Sequence, residues 1–169
     1  MDKRTRELML QELDYDLERD FTFFDVRLRE ESRSGYLDLL REVLQHGTPE
    51  SFSEAVLSAQ MLKETETRDL GDRRVVARIS SIAHYNIGEA EFNRYYMRAI
   101  CLRAHQEGIE EVEVYRAKPV VKPRPAEGER KNAKELLEHL RSTNISVAGS
   151  FPGPNSGRSI RFPKDRAAK

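Results

Sequence analysis

Apolar side chains recur along the first part of the chain with helical spacing. Leu10, Leu13, Leu17, Phe21, Phe24 and Leu28 lie 3, 4, 4, 3 and 4 residues apart, which is one continuous helical stripe. Glu12, Asp14, Asp16, Glu18, Arg19 and Asp20 fill much of the remaining surface. The pattern predicts a helix over 3–31, roughly 43 Å long at 1.5 Å per residue, whose stripe needs a surface to pack on. Phe21-Thr22-Phe23-Phe24 weakens it, because aromatic and β-branched side chains lose freedom in a helix. A break near Thr22 is the alternative.

After Ser34-Gly35, the residues Tyr36, Leu39, Leu40, Val43 and Leu44 outline a second amphipathic helix that stops at His46-Gly47. Thr48-Pro49-Glu50 supplies a capping hydroxyl, a first-turn proline and an acid at the positive end of a third helix. That helix uses Phe52, Ala55, Val56, Ala59 and Leu62 and frays by Thr67. Arg68–Arg74 reads as a loop around Gly71, and Val75, Val76, Ile79, Ile82 and Ala83 resume helical spacing. Asn86-Ile87-Gly88 is expected to interrupt or cap it. Beyond Glu89 and Glu91, a strong helix presents Phe92, Tyr95, Tyr96, Ala99 and Ile100 and ends at Gly108.

The period then changes. Val112 and Val114 alternate with Glu111, Glu113 and Tyr115, as on a half-buried strand. Pro119, Pro123 and Pro125 point to an extended segment or sheet edge downstream. Lys131–Ser142 is the last helix, carrying Leu136, Leu137 and Leu140. Phe151–Gly157 is a turn cluster, and Ser159-Ile160-Arg161-Phe162 is a short strand suited to pair with 111–115. The predicted fold is α+β and mainly helical: a three-helix N-terminal region, then a helix–strand–helix–strand body with a small two-stranded sheet. The expected divisions are a helical arm over 1–67, an α+β body over 75–163 and a polar tail over 164–169.

Composition changes the picture chiefly through charge. The chain of 169 residues is 38% hydrophobic and 34% charged, with a formal net charge of zero. Residues 1–66 hold 9 basic and 16 acidic side chains, while residues 67–169 hold 20 and 13. The preferred explanation is that the two halves neutralise each other within one molecule; head-to-tail association of copies is the alternative. The charged N-terminus contains no apolar signal-peptide core, so a cytoplasmic location is expected, with no membrane partner.

Candidate chemistry is sparse. Cys101 and His105 are four apart on one predicted helix, but the chain has no second cysteine and no third ligand at helical spacing, so a buried structural cysteine is the better reading. His46, His84 and His139 fit no catalytic or metal motif. No catalytic residue, metal ligand or cofactor is assigned. Arg94 and Arg98 are read as rim arginines bracketing buried tyrosine bodies, with Glu91 and Glu107 as their partners. The basic stretch 116–134 offers Lys118, Lys122, Arg124, Arg130 and Lys131 as a phosphate-binding surface, together with the basic C-terminus. It lacks interleaved aromatics and any recognisable nucleic-acid-binding signature.

The expected function is therefore a non-enzymatic interaction or assembly subunit. It would bind a protein partner or its own copy through Leu10, Leu13, Leu17, Phe21, Phe24 and Leu28. A nucleic-acid-binding accessory protein is the alternative.

Overall fold

The computed structural model describes residues 1–117, 128–142 and 157–164. Among these, five α-helices and two small antiparallel sheets form a mainly helical α+β fold.

Helix α1 spans Lys3–Glu18, and the Asp2 carboxylate caps it by accepting from the Thr5 amide at 3.0 Å. It buries Leu8, Met9 and Leu13 together with Glu12 and Asp16. The predicted helix over 3–31 is corrected here, because α1 ends at Glu18. Asp20 takes the left-handed conformation at φ 54°, and the Phe21 amide turns back to the Asp16 carbonyl at 2.9 Å. The poor helix formers at 21–24 then favour an extended path. Leu28 bridges Leu62, with Arg29 N–H on the Met61 carbonyl and Lys63 N–H on the Arg27 carbonyl, each at 2.9 Å.

A single 3-10 turn at Glu30–Ser32 leads into α2, Arg33–His46, which buries Tyr36, Leu40, Val43 and Leu44. Helix α3, Pro49–Ser58, has the expected start: Thr48 accepts from the Ser51 amide, and the Ser51 hydroxyl accepts from the Thr48 amide.

The next stretch departs most from expectation. Strand β1, Thr65–Leu70, and strand β2, Arg73–Arg78, form an antiparallel hairpin with Thr65 opposite Arg78 and Leu70 opposite Arg73. Gly71-Asp72 closes it as a two-residue turn, and Gly71 supplies the required positive φ of 60°. The loop expected over Arg68–Arg74 and the helical run expected through Val75–Ala83 are both replaced. The 3–4 spacing across 75–83 is accidental, joining the end of one strand to the start of a helix.

That helix is α4, Ala83–Gln106, and it passes unbroken through Asn86-Ile87-Gly88. Gly88 is not a break but a contact point. A Cβ there would lie 2.2 Å from the Ser53 hydroxyl and 2.9 Å from the Pro49 carbonyl, so its absence lets α4 approach α3. The helix ends as predicted at Gly108, φ 68°, with the Ile109 amide on the Ala104 carbonyl at 2.8 Å.

Strand β3, Glu111–Arg116, is central in the second sheet between β4, Arg130–Asn132, and β5, Arg158–Arg161. The expected pairing of 111–115 with the segment around 159–162 is observed between β3 and β5, with Glu113 opposite Arg161 and Tyr115 opposite Ser159. Strand β4 makes the sheet three-stranded rather than two-stranded, and it takes residues assigned in sequence to the start of α5, Ala133–Ser142. Val112, Val114 and Ile160 enter one apolar cluster with Leu13, Leu44, Phe52, Tyr95 and Leu137. The N-terminal helices and the sheet therefore share a core. Helix α4 lies at its centre, packed against α1, α3 and α5.

Candidate functional site

Beneath the apolar core lies a sealed group of charges. Helix α1 supplies Glu12 and Asp16, four apart, and α4 supplies Arg94 and Arg98 with the same spacing, so each pair shares a helix face. Arg98, Glu12 and Asp16 have no solvent exposure. Arg98 Nη1 and Nη2 donate to the two Asp16 carboxylate oxygens at 2.7 and 2.8 Å, and Nε donates to Glu12 at 2.8 Å. The Tyr95 hydroxyl reaches Asp16 at 3.1 Å. Arg141 of α5 pairs with Glu12 and lies 4.0 Å over the Tyr15 ring, closing the group from the other side. The sequence reading of Arg94 and Arg98 as rim residues is corrected: both are buried, and their main partners are on α1 rather than on their own helix. Only Glu91 matches the partners expected, at 3.9 Å from Arg94; Glu107 pairs with Arg103 instead. The matched four-residue spacings were visible in sequence, but nothing there showed that the two pairs face each other.

This cluster is a fastening more than a reaction centre. Its carboxylates are occupied by guanidinium groups, and the sign asymmetry of the two halves is used up partly here, within one molecule. One edge is left unsatisfied. Arg94 Nε and Nη1 and the Tyr36 hydroxyl are buried without hydrogen-bond partners among the described residues. Burial pushes Glu91 up to about 7, opposed by attraction to Arg94. Burial also raises the Tyr36 hydroxyl well above the usual phenol range, helped by the Glu91 charge.

The opposite arrangement is found in the β1–β2 hairpin. Among the described residues, its two strands pair only with each other. One face carries Thr65, Thr67, Val76 and Arg78; the other carries Glu66, Arg68, Leu70, Val75 and Arg73. Leu70 is 64% exposed and Val76 74% exposed, on opposite faces. Arg68 pairs with Glu66 along β1, and Arg74 of β2 pairs with Asp69 across the hairpin. Isolated two-stranded hairpins are at best marginally stable in water, and each strand presents an open row of backbone donors and acceptors.

The sequence-predicted contact stripe is largely used inside the chain. Leu13 and Leu28 are buried in the core, and Leu10 and Phe24 pack against it. Leu17 and Phe21 remain exposed, at 37% and 61%. Among the proposed phosphate-binding residues, Lys118, Lys122 and Arg124 lie outside the described residues. Arg130 and Lys131 sit beside Glu111 and Glu129, at 3.6 and 2.7 Å, which weakens their appeal to a phosphate. Cys101 is buried, and burial pushes its thiol up to about 12, the condition of an inert structural cysteine. Among the described residues, no helix is long and apolar enough to cross a membrane, and no group of three or more His, Cys, Asp or Glu side chains is placed to hold a metal ion.

No family model, curated protein or solved structure matches the chain.

Proposed function

We propose that this chain is a non-enzymatic interaction or assembly subunit whose β1–β2 hairpin is the contact element. The observation that carries the reading is the hairpin itself: two six-residue strands with apolar side chains exposed on both faces and, among the described residues, no third strand beside them. Such a ribbon gains most of its order by pairing with, or being gripped by, another protein surface. The formal charge of zero supports association, since no net charge holds copies or partners apart. The stripe of α1 contributes less to this reading, because most of it is committed to the core.

The test is purification at native abundance under low and then high salt, with the mass of the eluted species measured by light scattering. The expected result is a stoichiometric protein partner or a multimer that survives high salt and is lost in Leu70→Asp/Val76→Asp. A monomer under all conditions, or a complex untouched by that double substitution, would overturn the assignment. Nucleic acid retained at low salt and shed at high salt would replace it with the phosphate-binding alternative.

A further inference from the structure

At the base of the hairpin lies a cleft of about 620 Å³, within the range that small-molecule sites occupy. Its rim brings together Arg29, Arg78, Ser80, Ser81 and His84, and Val56, Leu57, Leu62 and Ile79 give it an apolar wall.

Two of these polar side chains, His84 and Arg78, lack a hydrogen-bond or ion-pair partner among the described residues. The His84 side chain lines the cleft yet is only 6% exposed, and its imidazole makes no hydrogen bond with any described residue. The Arg78 guanidinium, at the exposed end of β2, has no ion-pair partner among the described residues. Arg29 is held in place by its Nε donating to the Leu62 carbonyl at 2.8 Å. Lys63 also lines the cleft, although its ammonium is turned to the Val26 carbonyl at 2.8 Å.

Helix α4 begins at the same place. Ile82 stands at its cap position with no side-chain hydrogen bond. The Ala83 amide donates to the Ser80 carbonyl at 2.9 Å and the Ile82 amide to the Ser80 hydroxyl at 3.4 Å, which leaves the His84 and Tyr85 amides as the first-turn donors not taken by that turn. The His84 imidazole packs on the Tyr85 ring at 4.2 Å but makes no hydrogen bond with a described residue, and the Arg78 guanidinium has no ion pair among them. With the two remaining first-turn amides, these groups call for the same ligand chemistry: an oxyanion. Glu64 lies on the same rim, is exposed, and opposes it.

We infer that this cleft binds a small phosphate monoester, its phosphate held by Arg78, His84, Arg29 and the start of α4, and its organic body on the wall formed by Val56, Leu57, Leu62 and Ile79. The volume exceeds what a bare phosphate fills, and the apolar wall would be wasted on one. The inference stands whether or not the hairpin meets a partner.

The probe is phenyl phosphate, titrated into the full chain by calorimetry and by the imidazole resonances of His84, with inorganic phosphate and phenol as comparators. Saturable binding in or below the millimolar range is expected, with phenyl phosphate ahead of both comparators. Arg78→Gln, at an exposed strand end, should weaken it by about tenfold through loss of a charge-assisted hydrogen bond. Glu64→Gln should tighten it by about threefold by removing an opposing surface charge. Binding unchanged in Arg78→Gln with no movement of the His84 resonances would overturn the site. Equal affinity for inorganic and phenyl phosphate would overturn the ester.

Discussion

Arg98 grips Asp16 by both prongs, Nη1 2.7 Å from one carboxylate oxygen and Nη2 2.8 Å from the other, with neither side chain exposed. The two residues are 82 positions apart, so this contact fixes the N-terminal helix against the central one. It also explains why the N-terminal stripe is a poor candidate for a free docking face: the face of α1 that carries the acids carries Leu13 into the same core.

Removing Arg98 leaves Glu12 and Asp16 buried with fewer cations. Arg98→Met is expected to destabilise the chain by about 3–5 kcal/mol, as for other broken buried ion pairs. Arg98→Met/Asp16→Leu should recover only part of that, because the Asp16 charge leaves with Arg98 while buried Arg94 loses its Asp16 partner and keeps Glu91 at 3.9 Å. Urea unfolding measures both; equal stability of wild type and Arg98→Met would remove the cluster as a fastening.

Glu91 gives the fold a pH dependence of defined sign. Its ordinary value is 4.5 and its folded value about 7, so only the folded state holds the proton between those limits. Stability should fall as pH rises through that window and level off above it. Glu91→Gln mimics the protonated form, so it should equal wild type near pH 4 and exceed it at pH 8 by about 3 kcal/mol. A variant less stable than wild type at pH 8 would mean that attraction to Arg94 outweighs burial. The readout is chemical unfolding of both proteins across pH.

Gly88→Ala should cost about 1–3 kcal/mol, the range for overpacking, because the added methyl meets the Ser53 hydroxyl and the Pro49 carbonyl. Adding Ser53→Ala should relieve only part, since the carbonyl is backbone and stays. Thermal unfolding of the single and double variants tests the order.

Cys101 should resist a thiol reagent at pH 8 in the folded chain and react promptly in denaturant, since its thiol is both buried and pushed up to about 12. Rapid labelling of the native protein would contradict its placement in the core.

Much of this architecture was legible in the sequence. The Thr48-Pro49 start of α3, the Gly108 end of α4 and the pairing of 111–115 with 159–162 followed from capping chemistry and period. The hairpin was not, because Val75, Val76 and Ile79 matched a helical period by chance and Gly71-Asp72 was absorbed into a loop. The long N-terminal helix failed at Asp20, where a single left-handed residue redirected the chain. The buried cluster escaped notice for a different reason. Acids and arginines on an amphipathic helix normally mark its wet face, and only tertiary packing turns Glu12, Asp16, Arg94 and Arg98 inward.

The most direct test of the hairpin as contact element is amide hydrogen exchange on the isolated chain and on the complex it purifies in. The β1–β2 amides should exchange rapidly in the isolated chain, while those in the middle of α4 are protected, and the hairpin should become protected in the complex. Hairpin exchange that is identical in both, with new protection around Leu17 and Phe21 instead, would contradict the account and return the contact to the N-terminal stripe.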